Sequence, residues 1–185
     1  MILTITFGRP GNEIRMLTLP SKVRRKKQPY LAIRARLLRR QISKQAPLFI
    51  AEVLAFMNSR GIQPSGPSFF RFNAVDTDGE MDMEFGYFTE KLHPGAGPIR
   101  SGILPSGSYL SATWIGAYTH LEEVQRLMSA WVDANSLRVD RDVNESGTIY
   151  GCRIEIHHVS PPIEPEPEKW RTEIAMLLKP GAADQ

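Results

Sequence analysis

Two acidic residues, Glu84 and Glu173, each interrupt a run of large apolar side chains that alternates with the period of a β-strand. In residues 81–88 (MDMEFGYF), Met81, Met83, Phe85 and Tyr87 share one face, and Asp82, Glu84, Gly86 and Phe88 share the other. In residues 170–177 (WRTEIAML), Thr172, Ile174 and Met176 share a face, and Glu173 points with Ala175 and Leu177. A carboxylate in such company must reach water, find a donor or cation, or take up a proton. Two of them facing one cleft would complement a weakly basic ligand or supply a general base. The structural alternative is a solvated strand face for Glu84 and a salt bridge for Glu173.

The chain that must position them has 185 residues, enough for one domain or two small halves sharing a core. It is 42% hydrophobic and 23% charged, as globular proteins are. No apolar run approaches the roughly 20 residues that span a bilayer. The first residues, MILTITF, lack the leading positive charge of a signal peptide, and Cys152 is the single cysteine. That excludes an internal disulfide and a cysteine-based zinc site, and the expected location is the cytoplasm. Residues 1–44 hold 12 Lys and Arg against the single acid Glu13, whereas the remainder holds 11 basic and 19 acidic residues. The basic arm carries no helix-turn-helix, zinc-finger or aromatic RNA-binding motif, so nucleic acid is not expected as a partner. The acidic remainder favours a cationic or weakly basic ligand.

The elements read as follows. Apolar runs at 2–7 and 14–19 flank a Gly-Arg-Pro-Gly turn at 8–11, and 21–28 is a cationic connector. Residues 29–36 form a strand. A helix starts with Pro47 at its first position, carries Phe49, Ile50, Val53, Leu54 and Met57 on one face, and ends at Gly61. Strands at 68–74 and 81–88 make a hairpin through the turn 76–79. A Pro/Gly linker at 91–102 precedes a strand at 108–114. A capping box at 119–122 opens a second helix with Leu121, Val124, Leu127, Met128, Trp131 and Val132 on its apolar face. Strands at 148–156 and 170–178 flank a proline-rich acidic loop, and 180–185 is a frayed tail.

Each half is thus strand, helix, strand, strand, with Glu84 and Glu173 in corresponding places. The expected fold is α+β: a duplicated β-α-β-β module in one antiparallel sheet, both helices on one face, and a ligand cleft between the halves. Residues 1–27 form a basic N-terminal extension and 28–180 the domain, with pseudo-repeats 28–90 and 101–180. No phosphate loop or nucleophile elbow is present, so no cofactor is expected. His157 and His158, adjacent on a strand, point to opposite faces, and no metal site is expected.

Six stretches, in order, resemble the gyrase-inhibitor-like (GyrI-like) effector-binding domain, which also forms the ligand-binding part of MerR- and AraC-type activators. They are PYLAIR from 29, GIQPSGP from 61, MDMEFG from 81, PSGSY from 105, GAYTHL from 116 and WRTEI from 170. The resemblance runs from about residue 28 to about 179. It implies a cleft that takes flat, hydrophobic, often cationic molecules between aromatic rings, with carboxylates as charge complement. Carried over by position, Phe70, Glu84, Trp114, Tyr150, Trp170 and Glu173 fall in or beside that cleft. A core role stays open for Trp114, Tyr150 and Trp170. In some regulators an acid follows the third-strand aromatic of the second half; here Tyr150 is followed by Gly151.

Three functions follow as expectations. The first is a stand-alone binding protein that sequesters or senses hydrophobic small molecules, without direct control of transcription. The second is hydrolysis of strained, cyclopropane-bearing electrophiles, with Glu84 or Glu173 as base and Tyr118 or Tyr150 as donor. The third is a module for a protein partner such as a topoisomerase, contacted through basic residues 15–44.

Overall fold

The hydrophobic pattern of each half folds as a strand, a helix and two further strands. In the computed structural model, which describes residues 2–4 and 16–180, the first repeat is β4 (Gln28–Leu38), α1 (Arg39–Ser59), β5 (Ser68–Asp76) and β6 (Glu80–Phe88). The second is β8 (Gly107–Ile115), α2 (Leu121–Ala134), β10 (Gly147–Val159) and β11 (Arg171–Leu177). All pair antiparallel in the order β8-β11-β10-β5-β6-β4. The duplication is visible in the register. Tyr30 lies opposite Phe88 and Glu84 opposite Arg34; likewise Tyr109 lies opposite Leu177 and Glu173 opposite Thr113. A pseudo-twofold axis therefore passes between the central strands β5 and β10.

The leading strands are exchanged between repeats. β3 (Ser21–Arg25) precedes β4 in the chain but pairs with β8, and β7 (Ile99–Leu104) precedes β8 but pairs with β4. A flat sheet would hold β8 and β4 about 24 Å apart, five strand spacings. Yet Arg25 and Gln28 are separated by only Lys26 and Lys27, a reach of at most about 11 Å. The sheet must curl until its ends meet. Its inner face then buries a core free of helical residues, built from Tyr30, Phe69, Phe88, Tyr109, Ile154 and Ile156 among others.

Both helices pack on the outer face. From α1, Val53 and Met57 lie over Leu31 and Ile33, and Ala46 over Met81, Met83 and Phe85. From α2, Val124, Met128 and Val132 lie over Leu110, Trp114, Ile174 and Met176. With α1 on β4 and β6 and α2 toward β8, the central pair β5–β10 forms a floor between them.

Several sequence expectations need correction. α1 begins at Arg39, where the Gln41 side chain accepts a bond from the Leu38 N–H at 2.8 Å, so Pro47 lies inside the helix. No side-chain cap forms at 119–122; a 3-10 turn over Tyr118–His120 leads into α2 instead. The cationic connector is largely β3, in which Lys22 and Arg24 are exposed while Arg25 turns inward to Glu173, and the Pro/Gly linker already contains the start of β7. β9 (Arg141–Asn144), an exposed strand beside β10, is not among the elements expected from the sequence. Near the N-terminus, β1 (Ile2–Thr4) pairs with β2 (Met16–Thr18). The expected turn at 8–11, the rest of the first apolar run and the tail from 181 lie outside the described residues.

Candidate functional site

Alternation puts Glu84 and Glu173 on the inner face, and their side chains are only 12% and 15% exposed. They do not meet. The row across the sheet from Glu84 runs through Arg71 and Ile154 to Ala175, and the symmetry-related row from Glu173 runs through Ile156 and Phe69 to Gly86. Three strand spacings, about 14 Å, separate β6 from β11. Each carboxylate is already engaged. Glu84 accepts from the Tyr30 hydroxyl at 2.9 Å and pairs with Arg71 at 3.3 Å. Burial and the charge of Glu84 together push the Tyr30 phenol well above its ordinary value. Glu173 accepts from Arg25, Ser111 and His158. Burial alone would raise the Glu173 carboxyl, but the bonds from His158 and Ser111 and the charge of Arg25 prevail and hold it down at about 2.

Gly102, opposite Tyr30 on β7, makes room for that phenol, since an added Cβ would collide with Tyr30 Cζ and its hydroxyl. Gly102→Ala is expected to cost about 1–3 kcal/mol of stability in urea unfolding, by driving Tyr30 off Glu84.

The predicted aromatic residues gather on the opposite, helix-bearing face. Phe70 packs on His157 with ring centroids 4.3 Å apart, His157 on Tyr118 at 5.2 Å, and Tyr118 on Trp170 at 4.5 Å. Phe70, Tyr118 and Trp170 are half-buried, and the Trp170 Nε1–H donates to the Glu164 carbonyl at 2.7 Å, which ties the acidic loop to this cluster. Tyr150 lies apart from this cluster, further along β10 by the last turns of α2, where the Arg153 guanidinium donates to its hydroxyl at 3.1 Å and covers its ring. Trp114 shares this face but is fully buried beneath α2, its indole N–H donating to the Ala117 carbonyl, so it is part of the core. The aromatic and acidic residues expected to share a hollow are therefore divided between the two faces of the sheet.

The helix face has a carboxylate of its own. Glu155 lies beside Phe70 on the β5–β10 floor and is 5% exposed. Gln125 of α2 donates to it, and Arg153 donates in turn to the Gln125 carbonyl oxygen. The amide thus stands between cation and carboxylate, and among the described residues Glu155 forms no ion pair. Burial raises the Glu155 carboxyl, more than the charge of Arg153 lowers it. Burial, with the Glu155 charge nearby, pushes the Tyr118 phenol up to about 12. Burial, aided by His158, pushes His157 down to about 3, so its ring is neutral at physiological pH. Both His157 ring nitrogens and the Thr172 hydroxyl, on directly paired residues, are buried without a hydrogen-bond partner. Desolvated polar atoms of this kind are costly until something pairs with them. Glu155 was legible in principle, because Ile154-Glu155-Ile156 repeats the pattern that singled out Glu84 and Glu173. Gln125, on a helix, carries no such signal.

His158 stays on the inner face, so the two histidines do diverge. Among the described residues no group of three or more metal-ligating side chains occurs, and no helix is long and apolar enough to cross a membrane.

Residues 20–179 match the family described as the GyrI-like small-molecule-binding domain. The chain belongs to that family. Among solved structures, this GyrI-like domain is similar to EcmrR in its DNA complex within EcmrR-RPo, with a TM-score of 0.69 at 16% identity over 88% of this chain. It spans only 57% of that EcmrR chain. It is also similar to SAV2435 bound to tetraphenylphosphonium, with a TM-score of 0.58 at 13% identity over 90% of this chain and 99% of that one. A protein described as a hydrolase from Listeria innocua gives 0.52 at 12% identity, over 86% and 91% of the two chains. At these identities the likeness concerns the fold. No curated protein matches the sequence.

Proposed function

We propose that this GyrI-like domain binds hydrophobic, planar, cationic small molecules between its two helices, and so sequesters or senses them. The observation that carries the reading is Glu155, a buried carboxylate without an ion pair among the described residues, beside Phe70 and near Tyr118, whose ring packs in turn on Trp170. A lipophilic cation supplies the missing charge, and the rings supply flat apolar area and cation–π attraction. Entry requires Tyr118 and Trp170 to swing aside, which their partial exposure permits. Glu164, Glu166 and Glu168, on the loop tied to Trp170, raise the local concentration of cations. Tetraphenylphosphonium, a lipophilic though tetrahedral cation, bound to the similarly folded SAV2435 supports the hydrophobic and cationic character of the ligand.

The test is thermal denaturation with tetraphenylphosphonium, a flat phenanthridinium dye and neutral compounds of matching size. A cation at 100 times its Kd is expected to stabilise by about 2.7 kcal/mol, with quenching of Trp170 fluorescence. No stabilisation by either cation at millimolar concentration overturns the proposal.

Hydrolysis of strained electrophiles is the second reading, and it draws on the same carboxyl. Glu173, held ionised by three donors, is a poor base, and Tyr118 lies on the other face of the sheet from Glu84 and Glu173. Glu155, raised by burial and close to Tyr118, is the better base. Turnover separates the readings: a cyclopropane-bearing electrophile recovered intact after prolonged incubation with saturating protein leaves binding alone.

A further inference from the structure

The inner face carries a cavity that the helix-side reading leaves unused. Beside Glu173 lies a hollow of about 300 Å³, walled by Phe88, Leu104, Tyr109, Ile154 and Ile156. Broken symmetry opens it. Where the first repeat fills the space next to its glutamate with Arg71, the second repeat has the short side chain of Ile156.

The polar lining has a definite sign. Arg25, Lys26 and His158 border the hollow, and Glu173 is the one acid among the lining residues. That acid is already saturated by Arg25, Ser111 and His158. Arg25 keeps its Nε buried without a hydrogen-bond partner, and its guanidinium lies 5.6 Å from the Tyr109 ring centroid. The protein's own cation thus occupies the place where an aromatic cation would stack against Tyr109 and pair with Glu173. Lys26, exposed at the rim, makes no ion pair among the described residues. What the hollow lacks is a second anion.

We infer that this hollow is a second ligand site, selective for small planar hydrophobic monocarboxylates. The ring lies against Tyr109 and Phe88, and the carboxylate faces Arg25 and Lys26, since charge-assisted bonds to a guanidinium are stronger than neutral ones. The volume, at the lower end of the roughly 300–1,000 Å³ of ligand pockets, limits the occupant to one or two fused rings.

Calorimetric titration of the full chain with 2-naphthoate and 2-naphthamide, identical in shape and different in charge, tests this. The carboxylate is expected to bind about tenfold or more tightly than the amide, with affinity falling as salt rises. Arg25→Gln and Lys26→Glu are each expected to weaken it severalfold, and Glu155→Gln to leave it unchanged. Lys26 is an exposed rim side chain, so its variant keeps the test meaningful should Arg25→Gln fail to fold. Equal binding of the two probes, no binding at millimolar concentration, indifference to Lys26→Glu, or loss in Glu155→Gln each overturns the inference. The last outcome would assign the carboxylate to the helix-side site instead.

Discussion

Glu155→Gln is expected to weaken binding of a lipophilic cation by about 30-fold or more, while making the ligand-free protein more stable at neutral pH. The carboxamide keeps the shape and still accepts from Gln125, so the lost affinity reflects charge. The gain in stability comes from the same change, because a buried carboxylate without a paired cation is costly to hold ionised. The pH dependence fixes the sign. The folded-state value of Glu155 lies above the unfolded one, so the native protein binds the extra proton and loses stability as pH rises from about 4.5 through the folded value. Calorimetric melting of both proteins from pH 4 to 8 checks this, with the curves converging at the acid end. A variant less stable than wild type at pH 7 would show that the charge supports the fold, and the functional reading would lose its basis.

Glu173→Gln is expected to do the reverse. Its carboxyl sits at about 2 in the folded protein, well below the unfolded value, so its contribution is complete above about pH 4.5 and vanishes as pH falls to 2. Allowing for solvent screening of a partly exposed group, the variant should lose about 2 kcal/mol at pH 7. For a chain of this size that lowers Tm by about 4–8 °C. Guanidinium unfolding from pH 7 to pH 2 should show the gap closing with acidity. A gap that stays constant would mean that the Arg25, Ser111 and His158 contacts serve shape alone.

These two variants separate groups that looked alike in the sequence. Glu84, Glu155 and Glu173 are each a lone acid on a β-strand among apolar residues. Two of them find arginines, from β5 for Glu84 and from β3 for Glu173, and the third, among the described residues, is met by an amide and no cation. Nothing in the neighbouring residues distinguishes them, because each deciding partner comes from another element.

The duplicated strand-helix-strand-strand plan, the faces of the strands and the shared face of Glu84 and Glu173 were all legible, because side-chain alternation and helical periodicity are local properties of a chain. The sequence puts Phe70 and Trp170 in one cleft with Glu84 and Glu173; in the fold Phe70, Tyr118 and Trp170 line up through His157 on the face that carries Glu155, while Glu84 and Glu173 face the other way. Only the assembled sheet decided that. The exchange of β3 and β7 between repeats curls the sheet and gives its inner face a core of its own, which leaves the floor between the helices as the place where rings coincide with a carboxylate that forms no ion pair among the described residues. Strand exchange is pairing between residues some ninety positions apart, as Val23 and Tyr109 are, and no local pattern in a basic stretch such as residues 21–27 encodes it.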